Sequence, residues 1–141
     1  MSKSNSVSLH IRRGDYLSKS VEVFEPLNLD YYYSGIEYFN NTIKEPHYFV
    51  FSDDIEWAKS NFVQSSSYTV VDYNGADKGY EDMRLMSLCK HNIIANSSFS
   101  WWGAWLNRNP DKNVLAPKKW FSSKTSNLNS NDLLPSSWIK I

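Results

Sequence analysis

The chain has 141 residues, 15 Lys+Arg against 15 Asp+Glu, and 16% aromatic residues including six tryptophans. Zero formal net charge excludes a long-range pull toward nucleic acid or an anionic membrane, so any bound anion must be held by a local cluster. One cysteine, Cys89, excludes an internal disulfide framework and a multi-cysteine zinc site, and His10, His47 and His91 stand far apart without metal-ligand spacing.

The length suits one domain, and its few glycines and prolines argue against low complexity. Its apolar runs fall far short of the roughly 20 residues that span a bilayer. Met1–Ser6 is polar and reads as a leader, so the domain is expected over residues 7–141. Val7–Ile11 reads as a short strand. Leu29–Ile43 is an amphipathic helix with Asn28 or Asp30 near its N-cap. His47–Phe51 is a second strand and Asp54–Phe62 a short helix with acids in its first turn. Tyr68–Val71 is a third strand. Tyr80–Lys90 fits a helix presenting Leu85, Leu88 and Cys89 on one face. Asn92–Ala95 is a fourth strand. Ser98–Asn107 follows as a helix with a Phe99, Trp102, Gly103, Leu106 stripe. Asn113–Ala116 is a fifth strand, stopped by Pro117. Ser122–Asp132 reads as a long loop, and Leu133–Ile141 packs back on the body.

Apolar strands alternating with helices predict a Rossmann-like, three-layer α/β/α fold with a parallel sheet covered on both faces. In such sheets ligands sit beyond the carboxyl ends of the strands. Three segments fall there. Arg12 and Arg13, followed by Gly14, place guanidinium forks at a flexible turn, which suits phosphate; the bland alternative is an Arg12–Asp15 surface pair. The Arg13-Gly14-Asp15 tripeptide also spells an adhesion motif. Asp53 and Asp54 can grip a base edge or a ribose hydroxyl or coordinate a divalent cation, though a metal site needs more oxygen ligands than stand nearby; or one of them can simply cap the next helix. Ser97 and Ser98 stand at a helix N-terminus, an anion site, with Ser98 as an ordinary N-cap the alternative. Trp101, Trp102 and Trp105 read as core, with sugar binding as a minor reading. Neither G-x-G-x-x-G nor a Walker loop is present. Together the three segments point to a nucleotide or nucleotide-sugar.

The stretches VSLHIRRGDYL, FVFSDDIEWAK and DMRLMSLCKHNIIANSSFSWWGAWLN resemble, in order, the three motifs of the α-1,2-fucosyltransferases of glycosyltransferase family 11. LLPSSWIKI is similar to the C-terminus of bacterial members. The resemblance implies the C-terminal, donor-binding half of a GT-B-like inverting enzyme that moves L-fucose from GDP-fucose to a galactose-containing glycan, without an obligatory metal or cofactor. It implies that Arg12 and Arg13 contact the β-phosphate and carry catalysis. His10 and one of Asp53/Asp54 would contact guanosine, with Ser97 and Ser98 against the diphosphate. The acceptor-binding N-terminal half would be a partner outside the chain. A non-catalytic GDP-binding module and a carbohydrate-binding or adhesive domain are the alternatives. The lone cysteine and the lack of a signal-like start place the protein in a bacterial cytoplasm, with the inner membrane face as the place to meet lipid-linked acceptors.

Overall fold

The computed structural model describes residues 1, 3–14, 24–62, 65–122 and 132–141. Six strands form one all-parallel sheet: β1 (Asn5–Ile11), β2 (Pro46–Ser52), β3 (Tyr68–Val70), β4 (His91–Ile93), β5 (Val114–Ala116) and β6 (Ile139–Lys140). Their order is β3-β2-β1-β4-β5-β6. Among the described residues four α-helices lie between them: α1 (Leu29–Thr42), α2 (Ile55–Phe62), α3 (Gly79–Leu88) and α4 (Ser98–Trp105). The Rossmann-like α/β reading therefore holds. No helix among the described residues is long and apolar enough to cross a membrane.

β1 begins two residues earlier than its apolar pattern. Asn5 and Ser6, expected in the leader, pair with Pro46 and His47 of β2. Polar residues can enter the sheet because both find partners. Asn5 Nδ2 donates to the Lys44 carbonyl at 2.6 Å, and Ser6 Oγ accepts the Lys90 N–H at 3.0 Å. The C-terminal residues do more than pack: Ile139 and Lys140 add a sixth strand beside β5.

Strand alternation sends the two sets of β1 side chains to opposite layers. Val7, Leu9 and Ile11 are fully buried with Tyr32, Ile36 and Phe39 of α1 and with Ala58 and Phe62 of α2. Complete burial of such a side chain contributes about 1.5–3 kcal/mol, which makes this face the main stabilising core. Asn28 starts α1 by accepting the Tyr31 N–H at 3.1 Å, the capping role expected of it.

The opposite face of β1 carries Ser6, Ser8 and His10, all buried against the α3/α4 layer. Asn92 Nδ2 donates to Ser8 Oγ at 2.7 Å and to the Met86 carbonyl at 3.0 Å. Asn107 Nδ2 donates to Asn92 Oδ1 and to the Cys89 carbonyl, both at 2.8 Å. These bonds satisfy groups that would otherwise cost about 1–3 kcal/mol each when left buried and unpaired. The Cys89 thiol closes this layer, and burial pushes its pKa up to about 12, which leaves it protonated and unreactive.

Two helix faces differ from the expected stripes. In α4 the buried positions are Ser100, Gly103 and Ala104, whereas Trp102, Trp105 and Leu106 are about half exposed. In α3 Met86 is buried and Leu88 exposed. The reason is close helix approach: a Cβ at Gly103 would lie 3.0 Å from Met86 Cβ and 3.1 Å from its sulfur. Small residues must therefore face α3, and the tryptophans are displaced sideways. Trp101 stacks on Trp105 with centroids 5.3 Å apart and donates its indole N–H to the Leu133 carbonyl at 2.9 Å. Gly103→Ala is expected to cost about 1–3 kcal/mol through overpacking, read as a lower thermal midpoint. A midpoint equal to wild type would show that the two helices can separate without cost.

Candidate functional site

The strand order reverses between β1 and β4, so connections leave these neighbouring strands in opposite directions and open a crevice at their carboxyl ends. Beside it lies a cavity of about 420 Å³. His10 and Arg12 reach it from the end of β1, Asp53 from β2, Asp72 from β3, Asp82 from α3 and Phe99 from α4.

The arginine pair divides. Arg12 lines the cavity, its Nε 3.5 Å from Asp53 Oδ2. Arg13 turns toward α2, where its guanidinium carbon sits 4.1 Å from the Trp57 ring centroid and its Nε 3.6 Å from Asp54 Oδ2. The acid pair divides in the same way. Asp54 starts α2, its Oδ1 accepting the Trp57 N–H at 3.2 Å. Asp53 holds the turn after β1 instead, accepting the N–H groups of Arg13 at 2.8 Å and Gly14 at 2.9 Å. A Cβ at residue 14 would lie 2.9 Å from Asp53 Oδ2, so any larger residue there would push the carboxylate away from the turn it holds. Asp15, and with it the expected Arg12–Asp15 pair and the full tripeptide, lies outside the described residues, as does most of the loop expected over Ser122–Asp132.

His10 is 4% exposed, and its Nδ1 has no hydrogen-bond partner among the described residues. Its ring centroid is 5.5 Å from that of Phe99. Burial, assisted by the Arg12 charge, lowers its pKa to about 3. At neutral pH it is an uncharged imidazole with one unspent ring nitrogen in the cavity wall.

Asp82 and Asp72 are cavity acids that sequence reasoning passed over. Burial raises the Asp82 pKa, while a 2.8 Å hydrogen bond from Asn74 Nδ2 opposes the rise. In the sequence Asp82 is one of two acids in the first turn of α3, a position the helix dipole favours anyway, so nothing local marks it. Asp72 is engaged by Lys59 at 2.7 Å, and that partner lowers its pKa.

Ser97 rather than Ser98 is the N-cap of α4, its Oγ accepting the Phe99 N–H at 3.3 Å. Ser98 is exposed in the first turn. Neither lines the cavity, whereas the next residue, Phe99, does. Among the described residues no group of three or more His, Cys, Asp or Glu side chains could hold a metal ion.

The arrangement places one guanidinium, one neutral imidazole and the carboxyl groups of Asp53, Asp72 and Asp82 around a single cavity. Residues 1–141 match the family model for glycosyl transferase family 11. The chain is 44% identical over 140 residues to the O-antigen biosynthesis glycosyltransferase WbnK of Escherichia coli, covering 98% of this chain and 45% of that protein. It is 45% identical over 143 residues to an alpha-1,2-colitosyltransferase of Escherichia coli, covering 98% and 48%. A galactoside alpha-(1,2)-fucosyltransferase 1 of Ateles belzebuth is 28% identical over 103 residues, covering 71% and 28%. The chain thus spans about half the length, or less, of these curated relatives. No solved structure matches it.

Proposed function

Because the chain belongs to glycosyltransferase family 11, we propose that it is the donor-binding half of an inverting, GT-B-like α-1,2-glycosyltransferase. In this reading L-fucose, or the colitose named in one relative, passes from a GDP donor to a galactoside hydroxyl. The observation that carries the reading is the convergence of Arg12 and neutral His10 on one cavity beside the switch point. The reading seats the nucleoside among Phe99, His10 and Asp82 and runs its phosphates toward Arg12 and the N–H groups at the start of α4, where Ser97 and Ser98 stand.

As the bond from the sugar's anomeric carbon to the β-phosphate breaks, charge grows on that phosphate. Arg12, already oriented by Asp53, stabilises the growing charge more than the ground state. Arg13 supports the same turn through Trp57 and Asp54 rather than by direct contact. Asp82 takes over the base-reading role first given to Asp53 or Asp54, since a carboxylate accepts from the guanine N1–H and 2-amino groups. The reading assigns no metal to the reaction. It places the protein in a bacterial cytoplasm and puts the acceptor glycan mainly on residues beyond this chain. A chain of about half the relatives' length also favours a second reading, in which it binds GDP without turnover on its own.

GDP titration followed by tryptophan fluorescence tests the proposal, with Trp57 as a reporter beneath Arg13. Wild type should respond to GDP and more weakly to ADP; no response to GDP overturns the donor-site reading. Asp82→Asn should cut the preference for GDP over ADP by about tenfold or more, the value of a hydrogen bond to a charged acceptor. Asp53→Asn should instead weaken GDP and ADP alike, because it loosens the turn that carries Arg12. If Asp53→Asn alone removed base preference, the two roles would have to be exchanged.

A further inference from the structure

α4 carries a stripe of apolar side chains that the core does not use. Trp102, Trp105 and Leu106 stand at i, i+3 and i+4 and are about half exposed. Leu88, the last residue of α3, is exposed to a similar degree. The two helix ends are tied together: Asn107 Nδ2 donates to the Cys89 carbonyl at 2.8 Å and Asn109 Nδ2 to the Lys90 carbonyl at 2.9 Å. Leu88 and Leu106 therefore stand at the same end of the helical layer and extend the tryptophan stripe. We propose that this patch docks on a bilayer surface carrying anionic lipid headgroups. The inference goes beyond the proposed function and does not depend on it.

Three observations select a bilayer over a protein partner. The first is size. The exposed halves of two tryptophans and two leucines amount to a few hundred Å², well short of the roughly 800 Å² per partner of a stable protein interface. The second is the polarity of the rings. Trp101 spends its indole N–H on the Leu133 carbonyl, whereas Trp102 and Trp105 have no hydrogen-bond partner among the described residues. A half-exposed indole with a free N–H suits the headgroup level of a bilayer, apolar on one side and wet on the other.

The third is charge. From Leu88 to Asn113 the chain holds Lys90, Arg108 and Lys112 against a single acid, Asp111. Lys112 Nζ donates to the Ala104 and Asn107 carbonyls at 2.9 and 2.7 Å, which fixes its charge at the end of α4. Arg84 of α3 is neutralised by Glu81 at 2.8 Å and adds nothing. Tryptophan and leucine rimmed by bases are what an anionic interface attracts. Because the whole chain has zero net charge, the attraction is short-range and needs ring insertion as well. Docking also leaves the nucleotide cavity open. That cavity lies at the carboxyl ends of the strands, while α3 and α4 end at the opposite, amino ends, where Asn107 meets Asn92 at the start of β4.

Cosedimentation of the whole chain with vesicles tests this, using phosphatidylcholine alone and phosphatidylcholine mixed with phosphatidylglycerol. Wild type should bind the mixed vesicles, and acyl-brominated lipid should quench part of its tryptophan emission. Trp102→Gln/Trp105→Gln should weaken binding about tenfold or more and abolish the quenching. Arg108→Gln should weaken it about fivefold. Urea midpoints check that the variants fold, and Trp102→Gln alone carries the test if the double variant does not. Wild type that ignores the mixed vesicles, or that binds both kinds equally, overturns the proposal, as does a tryptophan variant that binds like wild type. A wild-type dimer in sedimentation equilibrium, lost in the tryptophan variant, would give the patch to a second copy and overturn it too.

Discussion

Arg12→Ala is expected to lower transfer about 100- to 1000-fold in an enzyme of full family length carrying this chain, the cost of removing one preorganised donor from a charge that grows in the transition state. The loss should fall mainly on kcat, because a ground-state diphosphate keeps its other partners. Arg12→Lys should recover part of the rate: it restores the charge but not the planar fork. Arg13→Ala is the informative contrast. Arg13 stacks on Trp57 and faces Asp54 rather than the cavity. Its removal should therefore act through the turn, with a smaller rate loss and a clear change in Trp57 fluorescence. Steady-state kinetics on the three variants checks this. Equal losses from Arg12→Ala and Arg13→Ala would place both guanidiniums on the phosphate and refute the division.

Acid should destabilise the fold through His10. Its pKa is about 3 in the folded protein, lowered first by burial and then by Arg12, against 6.5 in the unfolded chain. Below pH 6.5 the unfolded chain takes up a proton that the folded one refuses. The contribution is therefore present in full above pH 6.5 and is lost progressively as pH falls toward 3. At about 1.4 kcal/mol per pH unit, the loss at pH 4.5 amounts to roughly 2.7 kcal/mol. His47 and His91 are shifted downward too, chiefly by burial, and add to the trend. Urea midpoints at pH 7 and pH 4.5 measure it, and His10→Gln should remove much of the difference. A His10→Gln variant as acid-sensitive as wild type would assign the effect elsewhere. Above pH 5 the uncharged ring should leave GDP affinity flat with respect to this residue.

Much of the architecture was legible before the structure. Apolar strands alternating with helices over the whole length can satisfy both faces of a sheet only by covering both, which predicts the parallel α/β core and the strand ends as the place to look. A cap at Asn28 or Asp30, which the structure gives to Asn28, and the stop of β5 at Pro117 followed from local chemistry. The motifs carried the family resemblance, which the family match confirms.

Adjacent residues at a strand end defeated that reading. Arg12 and Arg13, or Asp53 and Asp54, have the same chemistry and differ by one position. Which of each pair meets the cavity depends on where the chain turns after the strand and on what waits there: Trp57 for Arg13, the Arg13 and Gly14 N–H groups for Asp53. Asp82 joins the wall of the cavity that His10 lines only because the fold brings α3 to the end of β1. Asn5 and Ser6 joined the sheet because Lys44 and Lys90, distant in sequence, supply their hydrogen-bond partners. The outward tryptophans of α4 reflect contact with Met86 of another helix. Periodicity along one chain records how far each residue prefers to be buried, and that determined the elements, their type and the edge of the sheet that matters. Pairing between distant residues decides which neighbour is spent on structure and which is left for a ligand, and that was settled only by the tertiary fold.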